Sequence, residues 1–493
     1  MNKMESPSVY FSELFDVSEE VLEDYGAFNI SLFADLPLFV DPFLLFHSCK
    51  QEYRQLHNMI IDYLRFLKAK SETGDISQNL IQALYCFGEV KQNWLGFCEH
   101  GNVGRGLGLD FANALNRNLV HVFSNFGKER ITRSSHLEKL CLIKSGIGRD
   151  MISDFTTNLI KEYLLQYTEK FAQNYISSSL RKKIAVNRVK FDRDLERWMP
   201  GSYELPIHNN DFVILTPKDI LTKDETWINH NDMINKFMEI PDAIPNAQLR
   251  EQVNNYFYKV LSQKRKPTIE DQQNAVNATL KKFPRLVDYY IKMKEDTGDD
   301  AVQDSNLKVI HSNQLYVKQY RELMRLLRKY SNFYEIPGNT KEEARQKIEF
   351  LKDVIENKGG HKIFYVGGEP IRRENDAHIL YRLTWHKTIS DVSREVDNGR
   401  GSADFKISRC AIDKTLVEFK LASNTQLRRN LQRQVEIYKK ASDAQAALKV
   451  IIYFSEDEQQ HVAEILSDLN LQTDPNIFLI DARADNKPSA SKA

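Results

Sequence analysis

The chain has 493 residues, 42% of them apolar and 28% charged, and its 68 Lys+Arg balance its 68 Asp+Glu to a formal charge of zero. That length predicts two or three domains, and neutrality confines any nucleic-acid surface to a local patch. Five scattered cysteines without a Cys-x-x-Cys pair argue against a disulfide framework or a zinc ribbon, and with no signal-like N-terminus or apolar run near about 18 residues a cytoplasmic protein without a membrane span is expected.

Residues 1–200 form the first expected unit, mostly helical. Pro37 and Pro42 break the chain, because each proline pushes the residue before it away from helical geometry. Beyond them Tyr53, Leu56, Met59, Ile60, Tyr63, Leu64 and Leu67 recur at helical spacing. A second long helix is expected from Met151 to Lys183, with Phe155, Leu159, Ile160, Tyr163, Leu164, Tyr167 and Phe171 on its buried side. Two loops invite a functional reading. Gly101, Gly104, Gly106 and Gly108 precede a helical pattern but lack the Gly-Lys-Ser/Thr ending of a phosphate loop and the strand of a dinucleotide fingerprint, so a packed turn is the stronger reading. Asp150 and Asp154 share one helix face downstream of His136 and Glu138, where helix capping after a glycine turn outweighs a second metal site.

Pro200-Gly201-Ser202 marks the expected edge of a middle region, 201–358. It opens with a strand at Phe212–Leu215, passes Pro241 and Pro245, and turns helical and charged from Ala247 to Asn357, interrupted by an acidic loop at 295–300. Lys318, Arg321, Arg325, Arg328 and Lys329 give one helix a basic side, usually a solvated face and less often a track for phosphates. Gly359-Gly360 offers a hinge into the last domain.

Residues 359–484 carry the order helix, strand, strand, helix, strand, helix, strand, and 485–493 are a small, polar tail expected to fray. The first helix is expected over Glu374–Lys387, followed by runs around Glu395 and Asp404 and a strand over Thr415–Lys420. Asn424 can cap a helix carrying Leu427, Leu431, Gln434 and Tyr438 on one face. Leu448–Phe454 has the β-branched density of a covered strand, Ser455-Glu-Asp-Glu458 is a capping box, and Ile477–Ile480 closes the sheet. The expected fold class is α+β multidomain, a large mostly helical N-terminal region followed by a C-terminal α/β domain.

Strand alternation puts Glu418 and Lys420 on one face and Val417 and Phe419 on the other, fixing a carboxylate and an ammonium together beside Asp404. The ordered set Gly401-Ser-Ala-Asp404, Glu418-Phe-Lys420 and Gln434-x-x-x-Tyr438 resembles the PD-(D/E)XK nuclease superfamily, the restriction-endonuclease-like fold, in its RecB-like branch. The resemblance covers about the last 130 residues, with Ala403-Asp404 in place of the literal Pro-Asp.

It implies a metal-dependent endonuclease that hydrolyses DNA phosphodiester bonds. Asp404 and Glu418 would hold Mg2+, or Mn2+, with a backbone carbonyl near Phe419 as third ligand. Lys420 would orient the attacking water, and Gln434 and Tyr438 would support the site or touch the DNA backbone. A hard divalent cation suits that chemistry because it accepts oxygen ligands, keeps several waters and stabilises charge developing on phosphate. The further acid is Glu395 by proximity in sequence, or Glu374 if it sits on the first core helix. The build is similar to that of bacterial restriction and phage-defence effectors. RNA cleavage and a non-cleaving nucleic-acid-binding scaffold are the alternatives, and a homodimer is expected because two copies of one site cut two strands most simply.

Overall fold

The computed structural model describes residues 9–74, 76–96, 107–121, 126–143, 148–261, 268–330, 338–385, 388–397, 402–409, 413–432, 444 and 446–487. No helix among them is long and apolar enough to cross a membrane.

Near the start lie a short strand, β1 (Leu38–Val40), and a long helix, α1 (Gln51–Glu72), which buries Tyr53, Ile60, Tyr63, Leu64 and Leu67 as their spacing predicts. The helix expected over Met151–Lys183 is two helices, α2 (Arg149–Leu159) and α3 (Lys161–Tyr175), joined at Ile160, whose φ of −96° and ψ of 13° interrupt the helical run. Past Phe171 and Ala172 the apolar stripe ends, and the chain enters β2 (Arg181–Asp192).

β2 pairs antiparallel with β3 (Arg197–His208), and β4 (Asp211–Phe212) adds to its edge. The domain edge expected at Pro200-Gly201-Ser202 therefore lies inside a strand. Pro200 is tolerated there because it sits opposite a bulge, between the pairs Val186↔Gly201 and Lys190↔Met199, where the ladder requires no N–H. The strand expected over Phe212–Leu215 stops at Phe212. Ile214 and Leu215 give their N–H groups to Gln92 O and Thr168 Oγ1 instead. β5 (Leu221–Lys223) then pairs antiparallel with β1.

The described residues of 247–357 are mostly helical as expected, in α4 (Ala247–Leu261), α5 (Ile269–Lys282), α6 (Leu286–Asp296), α7 (Gly298–Asn313), α8 (Tyr320–Tyr330) and α9 (Thr340–Asn357). A π-helical turn, Gln314–Gln319, links α7 to α8. The acidic stretch expected as a loop is the junction of α6 and α7. Glu295 is buried there, accepting from the Arg133 and Ser134 N–H groups. On the basic side of α8, Arg321 pairs with Glu13 and Glu19, and Arg325 with Glu322.

The C-terminal unit begins before Gly359-Gly360, because α9 already packs on its sheet. At one end Thr340 and Glu343 bond Asp413 and Arg409; at the other Lys352 and Glu356 bond Leu479 O and the Asp481 N–H. The helix is charged enough to resemble its predecessors, yet Ala344, Ile348, Leu351, Val354 and Ile355 make a buried stripe. Gly359, at φ 77°, is the left-handed residue that follows its end.

β6 (Tyr365–Val366) and β7 (Glu369–Pro370) form a hairpin on Gly367-Gly368, both at positive φ, and α10 (Glu374–Leu383) ends short of the expected Lys387. Then β8 (Asp391–Asp397), β9 (Ser402–Arg409), β10 (Asp413–Leu421), β11 (Ala446–Tyr453) and β12 (Ile477–Asp481) build one sheet in the order β12-β11-β10-β9-β8. β8, β9 and β10 are an antiparallel meander, while β10, β11 and β12 run parallel. Three strands thus precede the crossover where the sequence pattern counted two.

The architecture is α+β, mostly helical in its N-terminal part with a mixed C-terminal sheet. One buried cluster runs from Val9 to Ala482 and includes Val417, Phe419 and the α9 stripe. A smaller one, with Leu427, Leu431, Ile451, Val462 and Ile465, joins the other face of the sheet to residues 427–432 and to α11 (Glu456–Asp468). Ser455 Oγ caps α11 by accepting from the Glu458 N–H, while the Glu458 carboxylate takes the Phe454 N–H, one residue earlier than a capping box requires. In the tail Lys487 bonds Asp481, and 488–493 lie outside the described residues.

Candidate active site

β10 supplies the centre of the site. Val417 and Phe419 point into the main core, so alternation turns Glu418 and Lys420 to the other face. The pairing of β9 with β10 runs to Val417↔Phe405, which brings Asp404 to the neighbouring position. There Asp404 Oδ2 accepts the Phe419 N–H at 2.7 Å. The Lys420 ammonium lies 3.4 Å from Asp404 Oδ2, 3.4 Å from Glu418 Oε1 and 3.0 Å from Phe419 O.

α10 supplies what the sheet lacks. Glu374, in its first turn, places Oε2 3.4 Å from Lys420 Nζ and uses Oε1 to accept the Leu421 N–H at 3.3 Å and Asn424 Nδ2 at 2.6 Å. One turn on, His378 Nε2 stands 3.3 Å from Asp404 Oδ2, its ring packed edge-on against Phe405 and Phe419. Side-chain exposure rises from 6% at His378 through 10% at Glu418 and 12% at Lys420 to 25% at Glu374, so solvent reaches the centre from the Glu374 side. A small cavity bounded by Glu418, Lys420, Asn430 and Lys449 closes the other flank.

These surroundings shift the two carboxylates in opposite directions. Burial pushes the Asp404 carboxyl up, but His378, Lys420 and the Phe419 N–H outweigh it and hold Asp404 below the usual range. Burial raises Glu418, and the Asp404 charge adds to the effect against the pull of Lys420. Burial works against a charged Lys420, yet Asp404, Glu418 and Glu374 more than reverse it and keep the ammonium protonated.

Of the residues singled out from sequence, Asp404, Glu418 and Lys420 meet here. Glu374, one of the two upstream acids, bonds Lys420. Glu395 lies in β8 between the pairs Arg394↔Phe405 and Val396↔Ala403, and its side chain is outside the described residues. Gln434 and Tyr438 are also outside them. His378 and the Asn424–Glu374 bond had no local signature beyond the four-residue step from Glu374 to His378, which puts both on one helix face.

Asp150 and Asp154 are elsewhere. They face Asp35 and Glu89, and burial with Asp150 and Glu89 pushes Asp154 up to about 8. His136 joins Glu295 at 2.9 Å, and Glu138 is raised by burial and by Asp41, so neither belongs to that group. Residues 101–106 of the glycine-rich run lie outside the described residues. A cleft of 840 Å3 in the N-terminal part, lined by Tyr25, Tyr53, Tyr163, Tyr167 and Lys50 among others, shares no residue with the Lys420 cluster.

Two family models match the chain, both described as domains of unknown function: DUF8370 over residues 16–229 and DUF8371 over residues 340–456. No curated protein and no solved structure matches. The DUF8371 match starts at the first residue of α9 and includes Glu374, His378, Asp404, Glu418 and Lys420, so helix and strands of the candidate site fall within one matched unit. The DUF8370 match runs across Pro200 and the whole β2–β3 hairpin.

Among the described residues no three His, Cys, Asp or Glu side chains are grouped to hold a metal ion. The donors that do converge are two carboxylates and a main-chain carbonyl, Asp404 Oδ2, Glu418 Oε1 and Phe419 O, all within 3.4 Å of one ammonium. By donor chemistry, two carboxylates and a main-chain carbonyl are hard oxygens of the kind Mg2+ and Mn2+ take, with water filling the rest of their shell.

Proposed function

We propose that the protein is a divalent-metal-dependent nuclease of the PD-(D/E)XK type acting on DNA. The observation that carries this reading is the convergence of Asp404, Glu418, Phe419 O and Glu374 on Lys420. Asp404, Glu418 and Phe419 O would hold the cation. The chemistry a cation would supply there is activation of a water at neutral pH and compensation of charge developing on the phosphate.

The chain's own groups do the rest. The protonated Lys420, fixed by three carboxylates, offers a positive charge and directed N–H donors to a water or phosphate oxygen at the solvent edge. His378 and the Phe419 N–H share Asp404 Oδ2 and hold that carboxylate in one orientation. Glu374 fixes the end of β10 through Leu421 and, through Asn424, the turn into residues 427–432.

The test is to incubate the purified full chain with circular DNA, linear DNA and RNA, with Mg2+ or with a chelator. Cleavage of DNA that the chelator abolishes supports the reading. Cleavage of RNA alone would move the substrate to RNA, and no cleavage of any of them would favour a protein that binds nucleic acid without cutting it.

A further inference from the structure

We propose that residues preceding the 340–456 unit set the geometry of the active centre by gripping α10 on both sides of Glu374, with Lys223 as the main positioning residue. The proposal rests on reading the Lys420 cluster as catalytic. The grip comes from the end of β5, where Asp224 pairs with Arg373 and Lys223 Nζ reaches Asp376 Oδ1 at 2.9 Å. Arg373 and Asp376 bracket Glu374 in sequence. The π-helical turn adds Tyr316, whose hydroxyl donates to the same Asp376 oxygen at 2.6 Å and whose ring lies 5.1 Å from the Lys223 ammonium. Farther along α10, Tyr320 Oη donates to Leu383 O at 2.7 Å.

The pair is sealed, with Lys223 and Asp376 side chains 5% and 4% exposed. A buried ion pair is a weak source of stability, since apolar residues of similar volume often serve as well. What it fixes is geometry. Glu374 and His378 stand one turn apart on the face turned to Asp404 and Lys420, whereas Asp376 projects from the opposite side at about 200° from Glu374. Holding Asp376 therefore sets both the rotation and the axial position of α10. A small roll would take Glu374 off the Leu421 N–H and His378 off Asp404. β5 is itself tied down, by its pairing with β1 and by Ser305 on α7 donating to Thr222. The consequence is that residues far outside the 340–456 unit set the geometry of its acid–lysine cluster.

The full chain is compared with Lys223→Met, Lys223→Arg and the paired variant Lys223→Met/Asp376→Leu, which removes both charges and leaves neither unpartnered. The first readout needs no activity: hydrogen exchange at the Leu421 amide, which donates to Glu374 Oε1. Lys223→Met and the paired variant are expected to speed that exchange about tenfold relative to wild type while amides of β11 keep their protection, and Lys223→Arg to restore most of it. The second is Mg2+-dependent DNA cleavage, where kcat falls about a hundredfold in the paired variant with KM little changed. A folded paired variant with wild-type Leu421 exchange, or with wild-type kcat, would overturn the proposal. If the wild-type chain cuts nothing, the nuclease reading fails, and the Leu421 exchange rates still decide whether β5 positions Glu374.

Discussion

Glu374 and Lys420 meet at 3.4 Å across 46 positions of sequence, and their contact joins α10 to the sheet. It gives Lys420 a third carboxylate beside Asp404 and Glu418, the difference between a strand-borne charge pair and an enclosed cluster. Because Glu374 also takes the Leu421 N–H, the helix and the end of β10 cannot move independently.

Replacing Glu374 with Gln keeps the shape and removes the charge facing Lys420. DNA cleavage by Glu374→Gln is expected to lose about a hundredfold in kcat with little change in KM. Steady-state kinetics of Glu374→Gln and Glu395→Gln side by side identify the upstream acid, and the larger loss is expected at Glu374.

His378 Nε2 faces two of the expected metal ligands, Asp404 Oδ2 at 3.3 Å, which it orients, and Phe419 O at 3.5 Å. His378→Leu is expected to weaken Mn2+ binding about tenfold, the usual cost of losing a group that orients a ligand, while circular dichroism stays unchanged. Calorimetric titration of Mn2+ into the full chain and the variant measures it.

The fold of the C-terminal unit depends on α9. Glu343 is fully buried and bonded by Arg409, Thr388 and Ser390. Arg409→Met removes the guanidinium that bonds that carboxylate, and urea unfolding should show a loss of about 3 to 5 kcal/mol.

Asp154 carries a pH signature in the N-terminal part. Its folded-state pKa is pushed up to about 8, by burial first and by Asp150 and Glu89 next, whereas an unfolded aspartate titrates near about 4. The folded chain therefore keeps a proton that the unfolded chain releases. The corresponding stability is complete below about pH 4 and is lost as pH rises through about 8. Urea unfolding of wild type should weaken on going from about pH 5 to pH 9, and Asp154→Asn should flatten that slope, gaining on the order of 2 kcal/mol at the upper end.

The C-terminal sheet was legible because its signals are local. Val417 and Phe419 against Glu418 and Lys420 is a period of two that needs nothing beyond β10, and Leu448–Phe454 declares a buried strand by composition. What was hidden depends on packing between distant segments. Closeness in sequence singles out Glu395 but says nothing about which helix turn faces β10, so the contact of Glu374 with Lys420 could not be read from it. α9 looked like one more charged helix because a stripe such as Ile348, Leu351 and Ile355 does not reveal the surface it covers. Pro200 looked like a boundary because the bulge that accommodates it lies on another strand. The run from Met151 to Lys183 kept apolar periodicity as far as Phe171, and nothing in the period announced the turn at Ile160.

The central claim is that the Lys420 cluster cuts nucleic acid, and its most direct test is DNA cleavage by the full chain with Mg2+, beside Lys420→Met and Asp404→Ala. The expected result is cleavage by wild type and a loss of about a thousandfold or more in each variant, with melting temperatures close to wild type. Mg2+-dependent cleavage that persists at the wild-type rate in both folded variants would contradict it.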